Sequence, residues 1–365
     1  MAAGAVAAST VGTTPSRANA EESKSNAGAD RVKKIATEEA CSIPEVAAAL
    51  GACARTVWDN LDLKLINQIY NAPKDRPTPE LLTRLLDIDA GRLQVMDENG
   101  VDMHLLSLTA PGVQMFDADT ANELVRLAND RMAEACRKHP TRFSMLASFA
   151  PQDPKRAVKE MERAVKELKC NGFIVNSHTA NEYLDEEKFW PILEAAEAMD
   201  RAIYIHPRAP SEGMAAPFRD YRMEAAVWGY GMETGTHAVR LILGGIFDRF
   251  PNLKIVIGHM GEAIPFWLWR MDYMGNPARG RSNNKSKPSE YFKKNFAITT
   301  SGVEDPVALR YCIEKIGPEN IMWAIDYPYQ PTTPAVQWID AAEIDPKHKE
   351  MICHGNAERI FHIPA

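Results

Sequence analysis

Eight short apolar runs recur along the chain from residue 32 to residue 325, and this recurrence constrains the fold more than any other feature. The runs are 32–37 (VKKIAT), 104–108 (HLLSL), 144–149 (SMLASF), 172–176 (GFIVN), 202–206 (AIYIH), 254–258 (KIVIG), 296–300 (FAITT) and 321–325 (IMWAI). Most are continuously hydrophobic instead of alternating, which is the pattern of parallel strands covered on both faces. The first, carrying Lys33 and Lys34, shows it least. Between the runs, residues 81–99, 118–138, 154–169, 187–199, 234–250 and 305–316 place apolar side chains at i, i+3 and i+4 with charges opposite, as surface helices do. Eight strands alternating with helices predict an α/β fold, a (β/α)8 TIM barrel. An open doubly wound sheet would normally show a glycine-rich first strand–helix turn, and this sequence has none.

A chain of 365 residues accommodates one such barrel, expected as a single domain over 31–365. Residues 1–30 stand apart. Residues 2–12 are small and apolar, and Ala18-Asn19-Ala20 precedes Glu21-Glu22, as in the apolar core and cleavage site of an export signal. The positively charged start of such a signal is missing. A truncated export signal and a disordered low-complexity tail both fit; the first implies a periplasmic protein, the second a cytoplasmic one, which is favoured. The net charge of −7 argues against nucleic-acid and anionic-membrane partners, which select a basic face. No apolar run approaches the roughly 20 residues that span a bilayer, so a soluble protein is expected. Six cysteines without CxxC spacing read as reduced, packed thiols.

One segment breaks the repeat. Residues 41–80 carry Trp58, Leu61, Leu65 and Tyr70 and then a polar, proline-containing stretch, 71–77. Inserted after the first strand, it would sit at the catalytic mouth of a barrel as a lid or a specificity loop.

Barrel active sites gather at the C-terminal ends of the strands. The first strand leads into Glu38-Glu39-Ala40, the fifth ends in His206-Pro207, the sixth in Gly258-His259-Met260-Gly261-Glu262, and the eighth in Asp326-Tyr327-Pro328. Taken singly, a histidine before proline is commonly a loop residue, a Glu-Glu pair is commonly solvated, and a strand-end aspartate often caps the next helix. Together, Glu, His, His and Asp from four strands form the inventory of a divalent-metal site, two carboxylates with one or two imidazoles.

Several stretches, in order, resemble one family. They are 35–40 (IATEEA), 106–114 (LSLTAPGVQ), 176–179 (NSHT), 205–207 (IHP), 258–274 (GHMGEAIPFWLWRMDYM), 324–330 (AIDYPYQ) and 356–358 (NAE). The chain resembles the amidohydrolase-related decarboxylases, which act on 2,3-dihydroxybenzoate, γ-resorcylate and 5-carboxyvanillate, from Lys33 to Phe361. The 258–274 and 324–330 stretches are most similar to the carboxyvanillate branch. Ester- and amide-cleaving relatives usually carry His-x-His on the first strand, where this chain has Glu38 and Ala40. The fourth strand ends in Asn176-Ser177-His178 and offers no lysine to bridge two metals. The resemblance therefore implies one divalent ion, Mn²⁺ favoured and Zn²⁺ possible, held by Glu38, His206 and Asp326, with no organic cofactor.

It further implies a carboxy-lyase that releases CO2 from a small hydroxylated aromatic acid, Asp326 protonating the ring carbon that bears the carboxylate. His259 and Glu262, three apart at the expected start of a helix, would form a dyad that orients substrate and moves protons. Arg270, eleven residues and about three helical turns beyond His259, would meet a substrate carboxylate, with Arg76 in the inserted loop as a second anion contact. Trp58, Phe266 and Trp267 are candidate aromatic walls, whereas His178, His237 and Asn356 read more readily as structural. By the same resemblance the protein is expected to be a homodimer or homotetramer. Two rivals stay open on residues alone: a mononuclear metal hydrolase of lactones or esters from the same superfamily, and a barrel that binds without catalysing.

Overall fold

The computed structural model describes residues 31–57, 59–71, 78–275 and 284–364. The expectations made for residues 1–30, Trp58 and Arg76 lie outside these residues. Within the unit Lys33–Ala365, eight strands follow in chain order: β1 (Ile35–Cys41), β2 (Met103–Leu108), β3 (Phe143–Ser148), β4 (Gly172–Asn176), β5 (Ile203–His206), β6 (Ile255–Ile257), β7 (Phe296–Thr299) and β8 (Ile321–Met322). They pair in parallel in that same order. The ring closes where the Thr37 N–H donates to the Trp323 carbonyl at 3.2 Å and the Ala40 N–H to the Tyr327 carbonyl at 2.8 Å. The expected (β/α)8 barrel is the observed fold.

Each strand is buried along its whole length, which is why the runs read as continuously apolar. Leu105, Ile174, Tyr204, Val256, Ala297 and Met322 fill a layer of the core. Ile360, Phe361 and Ile363 from the C-terminal segment pack into the same cluster. The Asn356 amide, bonded to the carbonyls of Pro318 and Ile321, fixes that segment beneath β8 and is structural.

Outer helices include α1 (Pro44–Thr56), α2 (Leu61–Tyr70), α3 (Thr78–Leu86), α4 (Ala90–Asn99), α5 (Ala118–Lys138), α6 (Pro154–Lys166), α7 (Trp190–Ala198), α8 (Gly229–Leu243), α9 (Ile264–Met274), α10 (Pro288–Asn295), α11 (Pro306–Ile316) and α12 (Thr332–Ala341). Their starts follow local chemistry. Asp153 before α6 and Asp305 before α11 each accept two backbone N–H bonds, with proline at the first helical position. Two expected helices are in fact broken. Residues 81–99 divide into α3 and α4, and 234–250 is interrupted at Gly245, whose φ of +76° leaves the helical region. Among the described residues no helix is long and apolar enough to cross a membrane.

The first strand also differs from expectation. It starts at Ile35, not at residue 32, and runs to Cys41, so Glu38 lies inside the strand and not beyond its end. Its register with β2 slips by one between Ala36 and Glu39. Such a bulge re-aims a side chain next to a site, and here it sits beside Glu38.

The insertion after β1 folds as α1, α2 and α3. Asp62 of α2 is buried and bonded to Arg208, two residues past β5: Arg208 Nε and Nη2 reach one carboxylate oxygen at 2.9 and 2.6 Å, and the Ala209 N–H donates to the other at 2.9 Å. Arg208 also donates to the His178 carbonyl at 2.9 Å. This ion pair ties the inserted helix to the strand end that carries His206. Asp62→Asn leaves a buried guanidinium without its counter-charge, a loss of about 3 kcal/mol. The expected result is a lower urea midpoint, most of which the paired replacement Asp62→Leu/Arg208→Met restores. An unchanged midpoint in Asp62→Asn would show that α2 is held by its apolar contacts alone.

Candidate active site

Glu38 is buried to 2% exposure at the centre of the ring mouth. Its Oε2 accepts hydrogen bonds from the hydroxyls of Tyr204, Thr299 and Ser301, drawn from β5, from β7 and from just beyond β7. Its Oε1 has no hydrogen-bond partner. That oxygen lies 3.5 Å from His206 Nε2 and 3.9 Å from His259 Nε2. A buried carboxylate oxygen left without a donor costs free energy unless something positive faces it.

His206 is prepared to supply a lone pair. Its Nδ1 lies 2.8 Å from the Pro207 carbonyl, which fixes the N–H on that nitrogen and leaves Nε2 bare toward Glu38. Burial pushes the imidazole below its ordinary range, against the pull of Glu38. Asp326 follows β8 with φ +73°, a left-handed conformation uncommon outside glycine. Burial and the Glu38 and Glu262 charges hold its carboxyl well above the usual range, opposed by His259. Burial also acts on Glu38, but His259, His206 and the hydroxyl donors outweigh it and keep that carboxyl low. One ligand atom each from Glu38, His206 and Asp326 falls within 4.8 Å of the others. Two carboxylates and one correctly tautomerised imidazole around an unpartnered oxygen fit a divalent cation.

His259 and Glu262 meet as expected, with Nδ1 to Oε1 at 2.8 Å, but not on a helix. His259, Met260, Gly261, Glu262 and Ala263 all have positive φ, between 50 and 79°. This left-handed turn is closed by the Gly261 N–H on the Gly258 carbonyl at 2.7 Å. The true helix, α9, begins at Ile264. The three-turn spacing drawn from His259 to Arg270 therefore fails, because the first five residues of that span are not α-helical. Arg270 is exposed on α9 and does not line the cavity beside the ligand candidates. Phe266 and Trp267 are likewise exposed, at 73% and 51%, and do not wall that cavity.

The cavity next to His206, His259 and Asp326 holds about 370 Å³. Leu65, Ile66 and Ile69 of α2 form its apolar roof, so the insertion does stand over the site. Tyr230, Tyr329 and Gln330 add polar groups, the Tyr329 hydroxyl being 2.7 Å from Thr109 Oγ1. His178 and His237 are engaged away from the cavity: His178 Nε2 lies 3.2 Å from the Ala209 carbonyl and its Nδ1 accepts the Asn181 N–H at 3.3 Å. His237 Nε2 accepts the Leu184 N–H at 3.1 Å, and its Nδ1 lies 3.2 Å from Ser177 Oγ, itself bonded to buried Glu233. Sequence reasoning missed Tyr204, Thr299 and Ser301. A period-2 reading inward from His206 would have found Tyr204, a lone hydroxyl in an apolar strand aimed at the same face.

The model of the amidohydrolase family matches residues 66–363. A γ-resorcylate decarboxylase from Polaromonas sp. is 38% identical over 297 residues, covering 79% of this chain and 91% of its own. The crystal structure of 5-carboxyvanillate decarboxylase from Sphingomonas paucimobilis is 56% identical with a TM-score of 0.88, covering 92% of this chain and 100% of that one. The 5-carboxyvanillate decarboxylase of Novosphingobium aromaticivorans, complexed with manganese and 4-hydroxy-3-methoxy-5-nitrobenzoic acid, is 38% identical with a TM-score of 0.88, covering 92% of this chain and 97% of that one.

Burial alone would lower His259, but Glu262 and Glu38 raise it from its ordinary 6.5 to about 10. A group raised on folding contributes stability that is complete below its unfolded value and is lost as pH rises through the folded one. In metal-free protein this contribution is expected to be full below pH 6.5 and gone above about 10. Glu262→Gln is expected to flatten that dependence and to bring the His259 imidazole resonance back toward ordinary titration. The same titration in both proteins would remove Glu262 as the cause.

Proposed function

The chain belongs to the amidohydrolase family, and on that premise we propose that its site takes a 5-carboxyvanillate-like acid, a benzoate with a phenol ortho to the carboxylate that leaves. The enzyme is a metal-dependent decarboxylase of aromatic acids, a carbon–carbon lyase. The observation that carries the residue assignment is the unpartnered Glu38 Oε1 facing the bare Nε2 of His206, with Asp326 completing the cluster. The 56% identity to the Sphingomonas paucimobilis 5-carboxyvanillate decarboxylase and the apolar roof from α2, suited to a methoxy-bearing ring, support the substrate class.

Glu38, His206 and Asp326 would hold the cation, and the mixed oxygen and nitrogen donors support manganese. When bound, the ion supplies Lewis-acid polarisation and a template for the substrate's oxygens. Asp326, whose carboxyl burial and the Glu38 charge push well above its ordinary range in the metal-free protein, is the proton donor in this reading and delivers its proton to the ring carbon bearing the carboxylate. That carbon becomes tetrahedral, the bond to the carboxylate breaks, its electron pair returns to the ring, and CO2 departs. Asp326 is left as carboxylate. The His259–Glu262 pair, which retains a proton into the alkaline range, returns one to it. The roof from α2 excludes water from the reacting face. The exposed aromatic face of α9, with Phe266, Trp269 and Tyr273 at 73, 65 and 49%, supports assembly of several copies, since contiguous exposed apolar patches mark interaction surfaces.

The first test is Mn²⁺-reconstituted enzyme with a panel of ortho-hydroxybenzoic acids, followed by ultraviolet absorbance and CO2 trapping. Metal-dependent release is expected, fastest with 5-carboxyvanillate. Silence across the panel with metal bound would move the substrate assignment elsewhere. Asp326→Asn is expected to fold and to lose nearly all turnover; substantial decarboxylation by it would pass the proton to another residue, His259 first. Glu38→Ala and His206→Ala are each expected to lose metal by elemental analysis. Full occupancy in either would discard the ligand set.

A further inference from the structure

Glu39 has no place in the chemistry above, yet it is fully buried beside it. A buried carboxyl needs partners, and those of Glu39 are specific. Its Oε1 accepts the Ile325 N–H at 3.0 Å and its Oε2 the Tyr327 N–H at 3.2 Å. These are the backbone N–H groups of the two residues on either side of Asp326. Asp326 itself sits at φ +73°, which costs a side-chain-bearing residue on the order of 1–3 kcal/mol and persists only where surroundings impose it. Adjacent residues of a strand face opposite ways, so one Glu-Glu pair offers one carboxylate to the site and the other to the loop behind it.

Burial pushes the Glu39 carboxyl well above its ordinary range, and the Ile325 and Tyr327 N–H groups with Arg92 pull it back. Arg92, also fully buried, acts on it electrostatically and donates to the carbonyls of Ala40 and Asp87 at 2.7 and 2.9 Å. Its guanidinium stands 4.8 Å from the centre of the Tyr327 ring. His104 Nε2 lies 4.0 Å from Glu39 Oε2. The residues flanking Asp326 are thus gripped at the backbone by Glu39 and, at Tyr327, on the side chain by Arg92.

We propose that Glu39, backed by Arg92, is a positioning residue that fixes the backbone on both sides of Asp326 and so fixes where its carboxyl points. This inference rests on the reading of Asp326 as proton donor and ligand. Glu39 belongs neither to the ligand cluster nor to the lining of the adjoining cavity; it acts through Asp326. Buried partners that orient a ligating group commonly change affinity or activity by about 10–100-fold when replaced.

The test is Glu39→Gln, which keeps the shape and one acceptor but turns an N–H donor toward a backbone N–H. Turnover per metal-loaded site is expected to fall about 10-fold or more with KM little changed, and the solvent isotope effect on kcat to grow as proton delivery slows. Mn²⁺ affinity of metal-stripped protein, read by calorimetry, is expected to weaken in the Asp326 background and not to weaken further in Asp326→Asn. A variant that only melts lower, with kcat and Mn²⁺ affinity intact, overturns the inference. So does equal weakening of Mn²⁺ in both backgrounds. Should Glu39→Gln not accumulate folded, Glu39→Gln/Arg92→Met removes cation and anion together and is read the same way. Full turnover by Asp326→Asn overturns the assignment of Asp326 and this inference with it; loss of the coupling alone overturns only the inference.

Discussion

The structure turns on one buried carboxylate. Glu38 places a negative charge inside the barrel mouth, where an isolated ion is costly, and the neighbouring strands are arranged around that cost. Tyr204, Thr299 and Ser301 crowd one oxygen with hydroxyl donors, while the other faces two imidazoles and no donor. The bulge in β1 lies beside Glu38, and the alternation of β5 puts Tyr204 and His206 on the same side. Gly258 is small for the same reason: a Cβ there would come within 2.8 Å of Glu38 Oε2. Replacing any of these would leave the charge worse compensated.

Around that centre, three of the candidate site residues, His259, Glu262 and Asp326, sit in left-handed backbone. The run from His259 to Ala263 and the single residue Asp326 adopt left-handed conformations, disfavoured for residues with a Cβ. The local turn at 258–261 and the bond from the His259 N–H to Ser301 Oγ at 3.2 Å hold the first. Glu39 holds the second. In both cases a strand end has been bent out of regular geometry so that one side chain faces the mouth, and in both cases the barrel wall supplies the restraint.

This explains what the sequence made legible. Burial on both faces leaves continuous apolar runs, so the eight strands and their order could be read directly, and residues at strand ends could be named because the architecture dictates where ends converge. Glu38, His206 and Asp326 fall together for that reason. Orientation was less legible. The stretch from His259 to Glu262 has the i, i+3 spacing of a helix and meets as one would, yet its backbone is left-handed, and the error carried forward to Arg270. Nothing in the order of Glu38 and Glu39 says which one faces inward, because a one-residue slip in register exchanges the two faces. The hydroxyls of Thr299 and Ser301 were hidden among residues common in any strand.

The electrostatics of the cluster bear on which reaction it favours. Burial acts to raise all three carboxyls; Glu38 further raises Asp326 and Glu262, Glu262 raises Asp326, His259 lowers each of them, and His206 lowers Glu38. Glu38, richest in donors, stays ionised, whereas Asp326 is the carboxyl on which burial and like charge favour a proton. An arriving aromatic carboxylate adds negative charge to the same space and strengthens that preference. In the proposed reaction the substrate thus helps to protonate the group that protonates it. Hydrolysis asks the opposite of such a residue, a base ready to take a proton from water. Before a cation binds, burial and like charge raise Asp326 and Glu262 and Glu38 raise the neighbouring histidine; both shifts favour groups that give protons, the direction the proposed decarboxylation requires.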